Sequence, residues 1–199
     1  AWSGNHRLFA ERLRDGRIQL QAGELLAPGE IILGEGECYT SQALHIARSD
    51  AGLNGVSARL HPFVRDHVLG GRLRGKPRKV HINSWEAVYF AHDHDGLCAL
   101  ATAAAQVGAE RFVLDDGWFR GRNDDRAGLG AWEPDPVKYP NGLKPLIDHV
   151  HGLGMDFGLW VEPEMANADS DLLRAHPDWV LGAPGRRQPL GRGQYALDL

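Results

Sequence analysis

The 199-residue sequence has little cysteine, no long hydrophobic run and no excess of basic residues. Its two cysteines, Cys38 and Cys98, lie far apart, which excludes a disulfide framework and a paired metal knuckle. We expect free thiols in a reducing compartment, and therefore a cytoplasmic protein. No apolar run approaches the roughly 20 residues of a membrane-spanning helix, so no membrane partner is expected.

Charge and motifs exclude further classes of protein. Acidic residues number 26 and basic residues 22, and the net charge of −4 gives no reason to expect nucleic acid as a partner. Hydrophobic residues make up 43% of the chain, which excludes wholesale disorder. The sequence contains no His-Glu-x-x-His, no Gly-x-Ser-x-Gly and no Walker loop. Nucleophilic catalysis by Ser or Cys therefore has no specific support.

The two ends of the chain predict a piece of a longer protein. The first residues, Ala1-Trp2-Ser3, contain neither a methionine nor a leader pattern. Residues 195–199 alternate apolar and polar side chains like a strand in mid-course, and no stop signal follows them.

The first part of the chain has the pattern of antiparallel strands followed by a helix. Ile18, Leu20, Ala22 and Ile31 alternate with polar residues, and turn signals separate these runs. The turn signals are Asp15-Gly16, Pro28-Gly29 and residues 34–36. A helix is predicted over 50–69, with Asp50 as its cap. The basic residues 72–79 read as a linker.

From residue 79 the pattern changes to alternating strands and helices. The predicted strands are residues 80–82, 111–114, 156–161 and 193–199, and the predicted helices are 97–107, 143–150 and a short one that begins at Asp169 or Ser170. This alternation favours a parallel sheet with helical crossovers, either doubly wound or closed into an eight-stranded barrel. No Gly-rich turn follows the first strand, which counts against a nucleotide-binding doubly wound fold.

Tryptophan and carboxylate side chains recur where the predicted strands end. They are Trp85 after the first strand, Asp115, Asp116 and Trp118 after the second, and Trp160, Glu162 and Glu164 after the third. Parallel strand ends gather at one edge of a sheet. There an indole face covers the apolar patch of a sugar ring, and a carboxylate accepts hydrogen bonds from its hydroxyls. A single Trp is more often a core or rim residue, and Asp-Asp-Gly is often a simple turn, but the repetition favours a sugar site.

Two further groupings carry chemical alternatives. Asp116 with Glu162 or Glu164 is a candidate pair of carboxylates for glycoside hydrolysis. Residues 92–95, His-Asp-His-Asp, have the composition of a metal site. The start of the next helix, with Asp95 as the N-cap residue, is the favoured interpretation of that run.

Three long segments become recognisable when they are taken together: NSWEA at 83–87, RFVLDDGWF at 111–119 and GLWVEPEM at 158–165. In this order they resemble motifs of glycoside hydrolase family 36, the bacterial-type α-galactosidases. Shorter segments at 1–6, 52–55, 138–143 and 176–181 extend the resemblance over essentially the whole chain.

The resemblance implies an α/β fold in which residues 79–199 form the first half of a (β/α)8 TIM barrel, through about its fourth strand. Residues 1–48 would then be the end of an N-terminal β-supersandwich domain, and residues 49–78 a helical connection and linker. A complete barrel takes about 250 residues, so this chain would hold only a part of one.

The same resemblance implies a retaining α-galactosidase that removes terminal α-galactosyl residues from sugars such as melibiose and raffinose. No metal or organic cofactor is implied. Both catalytic Asp residues of the family would lie beyond Leu199, so the chain is expected to contain no catalytic residue and to be inactive alone. The implied partners are a galactoside and further copies of the protein, in a homo-oligomer such as a tetramer.

The resemblance also assigns roles to residues of this chain. Asp115 and Asp116 match the family's pair that binds the C4 and C6 hydroxyls of galactose, which takes Asp116 out of the catalytic pair suggested by spacing. Trp85 and Trp160 match aromatic walls of that pocket, and Arg192 matches a pocket arginine.

Departures from the family pattern leave the fine specificity open. Ala91, Ala131 and Gly193 stand where relatives often carry Asp, Asp and Asn. An α-N-acetylgalactosaminidase and a galactosyl transferase of the same family are alternatives within the enzymes. A catalytically inert, sugar-binding truncation is the alternative from another class.

Overall fold

The computed structural model describes residues 6–182 and 191–198. The chain divides into two compact units, Ala1–Lys76 and Pro77–Leu199, with the division inside the basic stretch predicted as a linker. The predicted motif at 1–6 lies outside the described residues except for His6. No helix in the described part of the chain is long and apolar enough to cross a membrane.

The first unit begins with an antiparallel hairpin of β1 (His6–Arg12) and β2 (Ile18–Glu24). Leu8 lies opposite Ala22 and Ala10 opposite Leu20, so apolar side chains share one face of the hairpin. The predicted strand around Ile18, Leu20 and Ala22 is confirmed.

The strands predicted on either side of Pro28-Gly29 are wrong. The turn itself forms, because the Glu30 N–H donates to the Ala27 carbonyl at 3.0 Å and the Glu30 carboxylate accepts from the Ala27 N–H at 2.7 Å. Its flanking residues make no strand, and Ile32 is 82% exposed. An apolar run becomes a strand only where a neighbouring strand pairs with it.

A helix follows, as predicted, but it starts later. Helix α1 spans Gly52–Phe63, and a π-helical turn continues it over Val64–Val68. Asp50 does not cap it: the position before the helix is Ala51, whose N–H donates to the Ser49 hydroxyl at 3.0 Å. Pro62 cannot donate a backbone hydrogen bond, and the wider turn comes directly after it.

The second unit is built on three parallel strands, β3 (His81–Asn83), β4 (Arg111–Leu114) and β5 (Asp156–Leu159), in the order β3-β4-β5. Between them lie α2 (Trp85–Val88), α3 (His94–Gln106) and α4 (Lys144–Gly152). The alternation of strands and helices therefore gives the predicted mixed α/β fold with a parallel sheet.

The core of this unit lies between the sheet and its helices. Phe112 and Leu114 alternate along β4 and are fully buried. They belong to one cluster with Leu97 of α3 and Leu146 of α4. These helices form because apolar side chains recur at helical spacing, and the buried stripe then fixes them on the sheet.

The predicted fourth parallel strand is wrong in its pairing. A strand does form there, β7 (Gln194–Ala196), but it pairs antiparallel with β6 (Met165–Asn167). The alternation of apolar and polar residues predicts a strand, but it does not show whether the neighbouring strand is parallel or antiparallel. Over residues 6–182 and 191–198, the parallel sheet has three strands.

In the second unit, the predicted N-cap residue of α3 is wrong and that of α5 is confirmed. Asp93, and not Asp95, caps α3, because its carboxylate accepts from the Gly96 N–H at 2.7 Å. Asp93 has the extended backbone that an N-cap residue requires, whereas Asp95 already lies in the first turn. Ser170 caps α5 (Asp171–Ala175), as one of the two predicted alternatives.

Candidate functional site

A cleft of about 530 Å³ opens at the carboxyl ends of the three parallel strands. It contains all five predicted sugar-binding residues among its lining side chains, which are Asn83, Trp85, Glu86, Phe90, Asp115, Asp116, Arg122, Asp125, Trp160, Glu162 and Arg192. Asp115 follows β4 and Trp160 follows β5 directly. They meet because the strands are parallel and in register, Leu114 beside Leu159.

Asp116 is held by a buried guanidinium. Arg122 donates from Nε to one carboxylate oxygen at 2.9 Å and from Nη2 to the other at 2.8 Å. Only 1% of the Arg122 side chain and 11% of the Asp116 side chain is exposed. The guanidinium lies over the rings of Phe90 and Phe119, with its carbon atom 5.4 and 5.8 Å from the two ring centroids. This bidentate pair fixes the plane of the Asp116 carboxylate.

Asn83 joins Asp115 to Trp85. Its side-chain amide donates to the Asp115 carboxylate, and its side-chain oxygen accepts from the Trp85 N–H at 2.8 Å. The Asp115 carboxylate also accepts from the Asp116 N–H at 2.7 Å. Asp115 therefore also has the role of a simple turn residue, which was the alternative interpretation of Asp-Asp-Gly. Asp115 is therefore both a turn residue and a lining residue of the cleft.

Gly117 completes this turn in a conformation that excludes a side chain. Its φ is +109°, and a Cβ there would come within 3.1 Å of the His92 Nε2 and of the Phe90 Cα. The tight turn lets the chain pass close to both residues.

The two predicted aromatic walls are supported from behind. Phe119 lies parallel to Trp160, with 13° between the ring planes and 6.5 Å between centroids, and Trp132 meets it edge-on at 6.2 Å. Trp85 meets Phe90 edge-on at 5.1 Å. Trp118, by contrast, is only 3% exposed and belongs to the core, as the alternative for a single Trp predicts.

Two further charged residues, Glu162 and Arg192, line the cleft. Arg192 has a backbone φ of +55°, and Glu162 lies on the loop after β5. Burial and the nearby Glu164 raise the pKa of the Glu162 carboxyl, and Arg192 partly offsets this. Glu164 itself is exposed and does not line the cleft.

The His-Asp-His-Asp run is not a metal site in the structure. No group of three His, Cys, Asp or Glu side chains in the described ranges is placed to hold a metal ion. His92 is buried instead, with its Nδ1 2.7 Å from the Tyr139 hydroxyl. Burial, together with the charge of Lys138, lowers the pKa of His92.

Sequence reasoning missed three residues that hold the cleft together: Arg122, Lys138 and Asn167. Lys138 donates to the carbonyls of Phe90, Gly117 and Arg122 at 3.1, 2.9 and 2.8 Å. Arg122 and Lys138 lie in irregular segments, and Asn167 is the last residue of the three-residue strand β6, so no helical or strand periodicity marks them as residues of the cleft. The only available signal was the recurrence of charged residues after the Asp115-Asp116 turn.

The chain is similar to known proteins over most of its length. The family model described as Melibiase matches residues 38–199. The chain belongs to the melibiase family. The resemblance to glycoside hydrolase family 36 is confirmed, since relatives at up to 53% identity cover the whole chain.

Individual relatives of this melibiase-family chain are similar along its length. The α-galactosidase of Escherichia coli is 53% identical over 198 residues, which is 100% of this chain and 28% of that protein. The solved family 36 α-galactosidase AgaA of Geobacillus stearothermophilus is 38% identical with a TM-score of 0.82, over 97% of this chain and 27% of that one. An AgaA variant solved with stachyose is 47% identical with a TM-score of 0.71, over 75% and 21%.

The chain thus spans little more than a quarter of the length of the E. coli relative. The comparisons establish the family, and the roles of the lining residues remain predictions from the motifs.

Proposed function

We propose that these 199 residues form one wall of the galactoside site of a longer α-galactosidase, called the parent protein below, which removes terminal α-galactosyl residues with retention. The observation that carries the proposal is the cleft of the second unit. Five residues predicted to bind sugar line it together: Trp85, Asp115, Asp116, Trp160 and Arg192. The names of the relatives support the same activity, and one of their structures holds stachyose.

The chemistry of the cleft suits a galactosyl ring. Phe119 stacks against the Trp160 indole, which lines the cleft, where it would pack against the apolar C–H patch of a sugar. Each oxygen of Asp116 accepts one N–H from Arg122 and keeps a lone pair for a hydroxyl. A sugar with the opposite configuration at C4 leaves this carboxylate partly unpaired, which costs about 1–3 kcal/mol of binding free energy.

The proposal extends to the rest of the parent protein. Strands β3, β4 and β5 begin its (β/α)8 barrel, and residues 1–48 and 49–78 belong to a β-supersandwich domain and its helical connection. Both catalytic Asp residues come from the remainder of the parent protein. We place it in the cytoplasm as a homo-oligomer that acts on galactosides such as melibiose, raffinose and stachyose.

The activity is tested by incubating the purified parent protein with an aryl α-galactoside and following the released sugar by NMR. The expected result is hydrolysis in which α-galactose appears first, with an aryl α-glucoside and an aryl α-N-acetylgalactosaminide as matched comparisons. Absence of hydrolysis, or β-galactose as the first product, contradicts the proposal. The isolated 199-residue chain is expected to give no turnover, and robust turnover would contradict the absence of the catalytic pair.

A further inference from the structure

Asp116 and Arg192 lie on different segments of the cleft, and a buried chain of hydrogen bonds connects those segments. It begins at the bidentate pair between Asp116 and Arg122. From there Arg122 Nη1 donates to the Asn167 side-chain oxygen at 2.9 Å. The Asn167 amide nitrogen then donates to the carbonyl of Gly193, the neighbour of Arg192, at 3.2 Å.

Both connecting side chains are almost completely removed from solvent. Arg122 is 1% exposed and Asn167 is 0% exposed. Asn167 uses its full capacity, because its oxygen also accepts from the Leu129 N–H at 3.0 Å and its nitrogen also donates to the Asp125 carbonyl at 3.1 Å. A buried network in which every partner is satisfied fixes the positions of the groups that it joins.

We propose that Arg122 is a positioning residue for the sugar site: through Asn167 it fixes the Asp116 carboxylate relative to the backbone beside Arg192. Arg122 borders the cleft, but it is only 1% exposed, and its Nε, Nη1 and Nη2 donate to Asp116, Asn167 and the Ala127 carbonyl. Its effect on a sugar is therefore exerted through Asp116. The inference rests on the proposed function, since it concerns how the same cleft recognises galactose.

A lysine at this position does not reproduce the geometry. A guanidinium presents several N–H groups in a fixed fork, which here reaches both Asp116 oxygens and the Asn167 oxygen at once. An ammonium is a compact charge on a flexible stem, so it keeps the charge and loses the bidentate orientation. Displacement of a binding group by about 1 Å lowers a catalytic rate by about 100-fold.

The test compares three variants of the parent protein: Arg122→Lys, Arg122→Gln and, as the control, Arg120→Gln. Arg120 lies in the same loop and pairs with Glu133 at the surface, with 53% of its side chain exposed. The measurements are kcat and KM on an aryl α-galactoside, competitive inhibition by galactose and by glucose, and the melting temperature.

We expect Arg122→Lys to melt within a few degrees of the unsubstituted parent protein, to lose about 100-fold in kcat/KM, and to bind galactose more weakly while inhibition by glucose is unchanged. A purely structural role would weaken both sugars together or change only the melting temperature. Arg122→Gln is expected to lose at least as much activity, and Arg120→Gln none.

Wild-type kinetics for Arg122→Lys would overturn the inference, including in the case where Arg122→Gln fails to fold. An equal loss of inhibition by galactose and glucose would also overturn it. If the unsubstituted parent protein neither hydrolyses the α-galactoside nor is inhibited by galactose, the proposed function fails, and that outcome is seen before any variant is measured.

Discussion

Phe119 lies parallel to Trp160, with 6.5 Å between the ring centroids and 13° between the ring planes. Phe119 is completely buried, whereas Trp160 lines the cleft. The inner ring therefore determines the angle at which the outer ring meets a ligand. Such aromatic pairs contribute about 0.5–1.5 kcal/mol beyond the area that they bury.

Replacing Phe119 by Leu should weaken sugar binding. Leucine keeps an apolar side chain in the buried site but loses the parallel ring, so we expect KM for an aryl α-galactoside to rise about fivefold, a loss of about 1 kcal/mol. Steady-state kinetics of the parent protein measure this. Phe9→Leu on the exposed hairpin strand β1 is the control, and an equal rise in KM for both variants would contradict the prediction.

Removal of the Lys138 ammonium should destabilise the floor of the cleft. The ammonium donates to three carbonyls, those of Phe90, Gly117 and Arg122. Lys138→Met leaves these acceptors without their partner, and we expect the free energy of unfolding to fall by about 3 kcal/mol. Urea denaturation measures the loss.

The control for this prediction is Lys144→Met. Lys144 pairs with Asp148 one helical turn away on α4, and 79% of its side chain is exposed. Exposed pairs of this kind contribute about 0.3–0.5 kcal/mol. If the two lysine variants unfold at the same urea concentration, the role given to Lys138 is wrong.

Buried His92 should make the protein less stable in mild acid. Burial is the first cause that lowers the pKa of His92 in the folded protein below its ordinary value of 6.5, and the charge of Lys138 adds to it. As the pH falls through 6.5, the unfolded chain takes up a proton that the folded protein does not, so stability decreases. The melting temperature should therefore decrease between about pH 7 and pH 5.

His92→Gln tests the origin of this dependence. Glutamine cannot titrate and can still pair with the Tyr139 hydroxyl, so we expect a shallower decrease of the melting temperature with falling pH. His151→Gln, an exposed position at the end of α4, is the control and should keep the original slope. Identical slopes in all three proteins would show that His92 does not carry the effect.

Parts of this fold could be predicted because a local pattern determines them. Helices α3 and α4 present apolar residues at helical spacing, and β4 alternates so that Phe112 and Leu114 face the helices. The gathering of Asp115, Asp116 and Trp160 was also predictable, because parallel strands end at a common edge.

Other parts depend on tertiary contacts that no local pattern records. Strand β7 was recognisable as a strand, but its antiparallel partner β6 was not. Arg122 lies six positions after Asp116 in an irregular loop, and its importance follows only from burial and from the geometry of its hydrogen bonds. Asp93 and Asp95 are chemically identical, so the backbone conformation alone selected the cap.

The most direct test of the central claim is the kinetic effect of Asp116→Asn in the parent protein. Asparagine has nearly the same shape but cannot accept hydrogen bonds at both side-chain positions. We expect kcat/KM on an aryl α-galactoside to fall at least about 100-fold, with a cooperative melting transition retained. The control, Asp124→Asn, should be unchanged, because the Asp124 side chain is 43% exposed and pairs with Arg126 at the surface. Near-normal kinetics of Asp116→Asn would contradict the assignment of this cleft as the galactoside site.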